Sequence, residues 1–171
     1  YANNTSSIFT NVSFHSNEVN NWTDNGSDDV YSYGGGIFVQ DGNVELTACS
    51  FTENRVYAHE TSTDGNSIGF PQGAGIYKTG GGTLTVTDTE ISGNVVDWNG
   101  HQIEPRGGGV FINDGTLNMV NVTIANNEKD GIYRDGGTVA VISSIIWDNE
   151  EDDEGSITYS YTNRQGDAPG G

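Results

Sequence analysis

The chain has 171 residues, with 24 Asp and Glu against 6 Lys and Arg for a formal net charge of −18; it lacks the basic surface that phosphate recognition needs, so no nucleic-acid partner is expected. Only 33% of the residues are hydrophobic while glycine alone supplies 25, which rules out a thick globular core but suits a thin one shared among many short strands. No run of about 18 apolar residues occurs, so no membrane insertion by this chain is expected, and the single cysteine, Cys49, excludes an internal disulfide or a cysteine zinc site.

The chain begins at Tyr1 instead of methionine, as a processed mature chain or a piece of a longer one would. Sequons at Asn3, Asn4, Asn11, Asn21, Asn25 and Asn121 are candidate glycosylation sites and hint at an extracellular or cell-surface location. Some would arise by chance in a chain this rich in Asn, Ser and Thr. Residues 7–17, SIFTNVSFHSN, carry apolar residues at alternate positions and end on Phe14-x-x-Asn17. A polar insertion, 18–33, follows.

From Gly34 the chain repeats itself. GGGI ending at Ile37 is matched by GAGI at Ile76, GGGV at Val110 and KDGI at Ile132. Phe51-x-x-Asn54 is matched by Ile91-x-x-Asn94, Ile124-x-x-Asn127 and Ile146-x-x-Asn149. The step from aliphatic residue to the following Phe or Ile is 14, 15, 14 and 14 residues. The step from each asparagine to the next aliphatic position is 20, 22, 16, 5 and, counting to Ile157, 8. A constant half therefore alternates with a variable half.

Within the constant half, apolar residues fall at every second position, the period of a half-buried strand. Val44 and Leu46 are matched by Leu84 and Val86, Leu117 and Met119, and Val139 and Val141, after turns QDGN, GGGT, NDGT and DGGT. Cys49, Thr89, Val122 and Ser144 share a small inward position. A unit of about 22 residues cannot bury its apolar face alone, but stacked copies can. The expectation is one all-β domain over 1–171, a parallel β-solenoid of about five coils spanning 7–161, with 162–171 as tail or linker. Asn17, Asn54, Asn94, Asn127 and Asn149 are expected to stack as an asparagine ladder along one corner.

The paired GG-[AG]-I and F-x-x-N motifs resemble the repeats of polymorphic outer-membrane proteins and of bacterial secreted right-handed parallel β-helix proteins, over roughly residues 7–166. Residues 144–166 resemble the segment that ends such a solenoid before a sorting region. The resemblance implies a right-handed β-helix; it implies little about function, since such helices serve adhesion, autotransport, polysaccharide cleavage and phage tailspikes.

The variable halves, 18–33, 55–72 and 95–106, are expected to project from one side as long loops. Trp22, Tyr57, His59, Trp98, His101, Glu104 and Arg106 combine aromatic faces with polar groups, as binding to carbohydrate or another cell-surface ligand requires; the same aromatics would equally serve to pin the loops to the wall. Enzymes of the pectate-lyase-like β-helix type supply the alternative function, a polysaccharide lyase or glycoside hydrolase. Here, however, Asp88, Asp114 and Asp135 fall on separate coils without a repeated outward pair. The three histidines lack the close spacing of a zinc site.

Glu150, Glu151, Asp152, Asp153 and Glu154 form an acidic corner that is either a solvated loop or a calcium site, calcium being the one cofactor the sequence suggests. Phe38, Tyr77, Phe111 and Tyr133 should stack in register as an outward aromatic row, a docking face or a surface on which the loops pack. Residues 7–17 read as the second half of a coil and 155–161 as the first half of another. Set end to end they complete one coil, which suggests head-to-tail self-association.

Overall fold

The computed structural model describes residues 6–23, 29–60, 68–99, 102–103 and 105–165. The described chain is all-β, its strands paired in parallel. One sheet stacks Ser6–Thr10, Asn43–Thr47, Thr83–Thr87, Thr116–Val120, Thr138–Ile142 and Thr158–Ser160. A second stacks Ile37–Gln40, Ile76–Thr79, Val110–Ile112, Asp130–Arg134 and Glu151–Glu154. A third stacks Ser13–His15, Ser50–Thr52, Glu90–Ser92, Thr123–Ala125, Ile145–Trp147 and Asn163–Arg164. Successive strands of the chain visit the second, first and third sheets in turn, an arrangement consistent with a β-solenoid.

Parallel register places like on like. Val44, Leu84, Leu117 and Val139 form one inward row, and Leu46, Val86, Met119 and Val141 the next. Phe14, Phe51, Ile91, Ile124 and Ile146 form a third, with the Phe14 and Phe51 rings stacked at 4.5 Å. Apart from the half-buried Phe14, all of these are buried in one continuous core. Cys49 lies in it, its thiol directed at the carbonyls of Thr47 and Phe9.

Two corners of each coil turn through a residue in the left-handed region. One row is Asn11, Ala48, Asp88, Asn121, Ser143 and Tyr161, and the other is Ser16, Glu53, Gly93, Asn126 and Asp148. Most are not glycine, so each costs on the order of 1 kcal/mol; the ladder of coil-to-coil backbone bonds, such as Asn11 N to Thr47 O at 3.0 Å, holds them there. Glycine is demanded elsewhere, by close approach. A Cβ on Gly36 would sit 2.5 Å from the Gly75 carbonyl oxygen and 2.9 Å from the Phe51 ring.

The asparagines beside the second corner are buried from Asn54 to Asn149. Asn54 Nδ2 and backbone N donate to Asn94 Oδ1 at 2.9 and 3.0 Å, and Asn94 repeats both bonds onto Asn127, as Asn127 does onto Asn149. Each Nδ2 also donates to the carbonyl one coil back, Asn94 to Phe51 O at 2.9 Å. An amide can do this because it carries donors and an acceptor on one planar group.

Two expectations change. Among the described residues, the variable halves form extra strands where loops were expected. Glu18–Thr23, Arg55–Glu60 and Val95–Asn99 form one lateral sheet, and Val30–Tyr33, Ile68–Gln72 and Gln102–Ile103 another. Stacked coils bring three insertions side by side, and backbone pairing satisfies their polar groups better than irregular loops could. The acidic segment is likewise not a corner but a strand: Ile132 pairs with Asp153 and Tyr133 with Glu154, so Asp153 holds the register position assigned above to Ile157. Ile157 instead packs against the core. Residues 151–165 thus contribute to all three sheets, more than the half coil expected.

Replacing Asn94 with Ala leaves the Asn54 donors and the Phe51 carbonyl without partners. The expected cost is about 3 kcal/mol, read as a fall in the urea midpoint at constant slope; an unchanged midpoint would show the ladder to be energetically idle.

Candidate functional site

The lateral strands build a flat wall. Alternation sends Glu18, Asn20 and Trp22, Arg55, Tyr57 and His59, and Val95 and Asp97 to one face, with Val19, Val56 and Val96 on the other. The valine row packs with Ala74 as a small core, which fixes the sheet to the solenoid. On the polar face Trp22 pairs in register with His59, and Asn20 with Tyr57. Trp22 is 64% exposed. The Tyr57 hydroxyl lies 3.5 Å from His59 Nδ1, the Arg55 guanidinium covers the Tyr57 ring at 5.2 Å, and Arg55 is paired with Asp97. The result is an exposed indole next to an imidazole, a phenol and an ion pair.

Of the binding residues suggested by sequence, the wall gathers Trp22, Tyr57 and His59. Trp98 shares a row with Ala58 and Asn21, so it stands on the opposite face, where the Lys129 ammonium lies 5.8 Å from its ring centre. Arg106 is elsewhere again: its guanidinium lies over the Tyr133 ring at 4.7 Å and 4.0 Å from Asp135. His101 and Glu104 fall outside the described residues, as do Asn3, Asn4 and Asn25. Among the other sequon asparagines, Asn11, Asn21 and Asn121 are exposed; Asn21 Nδ2 donates to Tyr31 O at 3.0 Å and Asn121 Nδ2 to Asp88 Oδ1 at 3.0 Å. His15 contacts Thr52 Oγ1 at 3.0 Å and is exposed.

The aromatic row stacks with ring centres 5.2 Å apart from Phe38 through Tyr77 and Phe111 to Tyr133. Tyr77, Phe111 and Tyr133 are buried, so it is a second apolar core on the outside of the second sheet and not an open docking face. Tyr33 stacks on Tyr77 at 4.5 Å. Burial, with Tyr31 alongside, pushes the Tyr33 hydroxyl up to about 12. Burial also drives Tyr77 upward, and desolvation is again the main cause for Tyr133.

Two charged groups inside the fold escaped the sequence reading. Lys78 pairs in register with Val39 and Ile112, an inward position, and is fully buried. Its ammonium donates to the carbonyls of Thr79, Gly80 and Gly81 at 2.8, 2.6 and 3.0 Å. Burial lowers its pKa, with Asp114 and Asp41 opposing. Arg134 repeats the device, Nε donating to Gly137 O at 2.9 Å. Alternation after the glycine motif carries the signal: I-F-V, I-Y-K, V-F-I and I-Y-R share one pattern, with a cation in the inward place twice.

The second group is Asp130, which occupies the backbone row of Gly35, Ala74 and Gly108. In coils with long insertions the first glycine of the motif donates to a carbonyl of the next insertion, as Gly34 N does to Gln72 O at 3.2 Å and Gly73 N to Arg106 O at 3.2 Å. The insertion after Asn127 is too short to supply one. Gly107 N donates instead to Asp130 Oδ2 at 2.9 Å. Asp130 is buried and its pKa is raised to about 6, chiefly by desolvation, with Glu151 and Glu154 adding repulsion against the lowering effect of the Gly107 bond. Glu150 pairs with Lys129 at 3.1 Å. The side chains of Asp152 and Asp153 lie outside the description.

Comparison with known protein families, curated proteins and solved structures found no match in any of the three. Among the described residues, no helix is long and apolar enough to cross a membrane.

Lys78→Met keeps the length of the side chain but removes the donor shared by three carbonyls. It is expected to destabilise by about 1–3 kcal/mol, measured by urea unfolding; a gain in stability would mean that the cost of desolvating the ammonium outweighs its bonds.

Proposed function

We propose that the chain is a right-handed parallel β-helix of about five coils, acting outside the cell as a structural or adhesive module whose lateral wall contacts carbohydrate. The single observation that carries the binding surface is the exposed Trp22 indole, in register with His59 and beside Tyr57 on one flat sheet face. Sugars present C–H faces that stack on aromatic rings and hydroxyls that bond to imidazole, amide and carboxylate groups. Glu18 and Asn20 supply such groups along the same strand. A polymer suits a wall that extends over three stacked strands. Right-handedness is supported by the preference of parallel crossovers, about 98% of which take that hand.

The sheet edges favour a further element of this reading. Ser6–Thr10 and Thr158–Ser160 are the opposite edges of the first sheet, and Phe9, Phe14 and Tyr159 beside them are only half-buried. Stacking one copy head-to-tail on the next would pair these edges and bury those rings. Filaments with an axial repeat of about 29 Å, six rungs of the first sheet, are the expected product in electron microscopy; monomers alone at high concentration would dismiss the stacking and leave the wall untouched.

The wall is tested by screening plant, algal and bacterial polysaccharides for both binding and product release. Trp22→Ala with Tyr57→Ala should weaken binding at least about tenfold while circular dichroism and melting stay as in the parent. Binding that survives the double substitution places the contact surface elsewhere. Release of shortened sugars would mark a lyase or hydrolase.

A further inference from the structure

The acidic strand Glu151–Glu154 closes one edge of the second sheet, against Asp130–Arg134. Asp130 lies opposite Glu151 in register, and Tyr133 lies opposite Glu154. One carboxylate oxygen from each of Asp130, Glu151 and Glu154 lies within 4.8 Å of the others. Like charges gathered so closely repel, and the chain already carries a net −18.

A second feature separates this cluster from an ordinary acidic patch. Asp130 is only 3% exposed. Its Oδ2 accepts from Gly107 N, but Oδ1 is buried and has no hydrogen-bond donor. Leaving a buried carboxylate oxygen unpaired is costly, and an ion or water commonly accounts for such a group. Among the described residues the Lys129 ammonium attracts Glu151 but makes no ion pair with it. Lys129 is held by Glu150, and none of the three carboxylates forms an ion pair among the described residues.

We propose that Asp130, Glu151 and Glu154 bind a calcium ion that pins the acidic strand to the solenoid. Calcium takes oxygen ligands at about 2.3–2.6 Å, so two ligands on opposite sides of the ion stand up to roughly 5 Å apart. The three oxygens, all within 4.8 Å of one another, lie inside that span. Calcium tolerates such an irregular set of oxygens, whereas magnesium demands a near-ideal octahedron and keeps several of its waters. Asp130 is the buried anchor, the two exposed glutamates close over the ion from the edge strand, and water fills the remaining positions. The site is independent of the lateral wall.

The test is calorimetric melting and titration of the whole chain with calcium chloride, against magnesium chloride and sodium chloride at matched ionic strength. Free calcium at a hundredfold excess over its Kd should raise the melting temperature by about 5–10 °C. It should also protect the peptide bonds around Gly155 from protease. Glu151→Gln with Glu154→Gln, both exposed, should abolish the calcium shift without unfolding the chain. Asp130→Asn keeps an acceptor for Gly107 and should do the same, whereas Glu45→Gln should leave the shift intact. Equal responses to all three salts overturn the site. So does a calcium shift that persists in the double glutamate variant, or one that is lost only in Asp152→Asn with Asp153→Asn.

Discussion

The in-register parallel hydrogen bonding between coils is the constraint on which everything else rests. Each backbone amide reaches the same place in the next coil, so every side chain must tolerate a neighbour of its own row about 4.8 Å away. Aliphatic rows do so by packing, and the Phe38–Tyr133 row by ring stacking at 5.2 Å. Asparagine does so because one amide both donates and accepts. A row of carboxylates cannot, since ionised groups only accept. The strand at Glu151–Glu154, beside Asp130, gathers carboxylates that cannot satisfy one another in this way.

Coil length is the second variable. Where an insertion is long, it pairs with the insertions above and below and supplies the carbonyl that the next glycine motif needs. Where it shrinks to the few residues between Asn127 and Ile132, the carboxylate of Asp130 takes over that bond. A single residue thus serves a structural need with one oxygen and leaves the other buried without a donor. The same shortening exposes the end of the lateral sheet, and Lys129 fills it, its ammonium near the Trp98 ring and bonded to Glu150.

The inward cations follow the same economy. At two of the corners, Thr79–Gly81 and Gly137, backbone carbonyls accept from a cation on the strand before them. Lys78 and Arg134 bring donors to them from within the coil, on long stems that pack as apolar matter. The core is therefore not purely aliphatic, yet its polar atoms are largely satisfied.

Much of this was legible in the residues alone. A constant 14- or 15-residue step with alternating apolar positions can only be met by stacked strands, so the sheets, the inward rows and the asparagine column could be assigned by number. The variable halves could not, because their pairing depends on which insertions lie side by side, and nothing local distinguishes Arg55–Glu60 in a sheet from the same residues in a loop. For that reason Trp22, Tyr57 and His59 could be grouped with Trp98 in sequence, while only strand alternation in the folded sheet divides them between two faces. The acidic segment differs on similar grounds: its composition favours a solvated turn, and the open edge at Asp130–Arg134 recruits it as a strand. Periodicity determined which residues are buried and stacked. Burial of single charges such as Lys78 and Asp130, and the faces on which chemistry meets solvent, were decided by tertiary contacts between residues that the chain keeps a full coil apart.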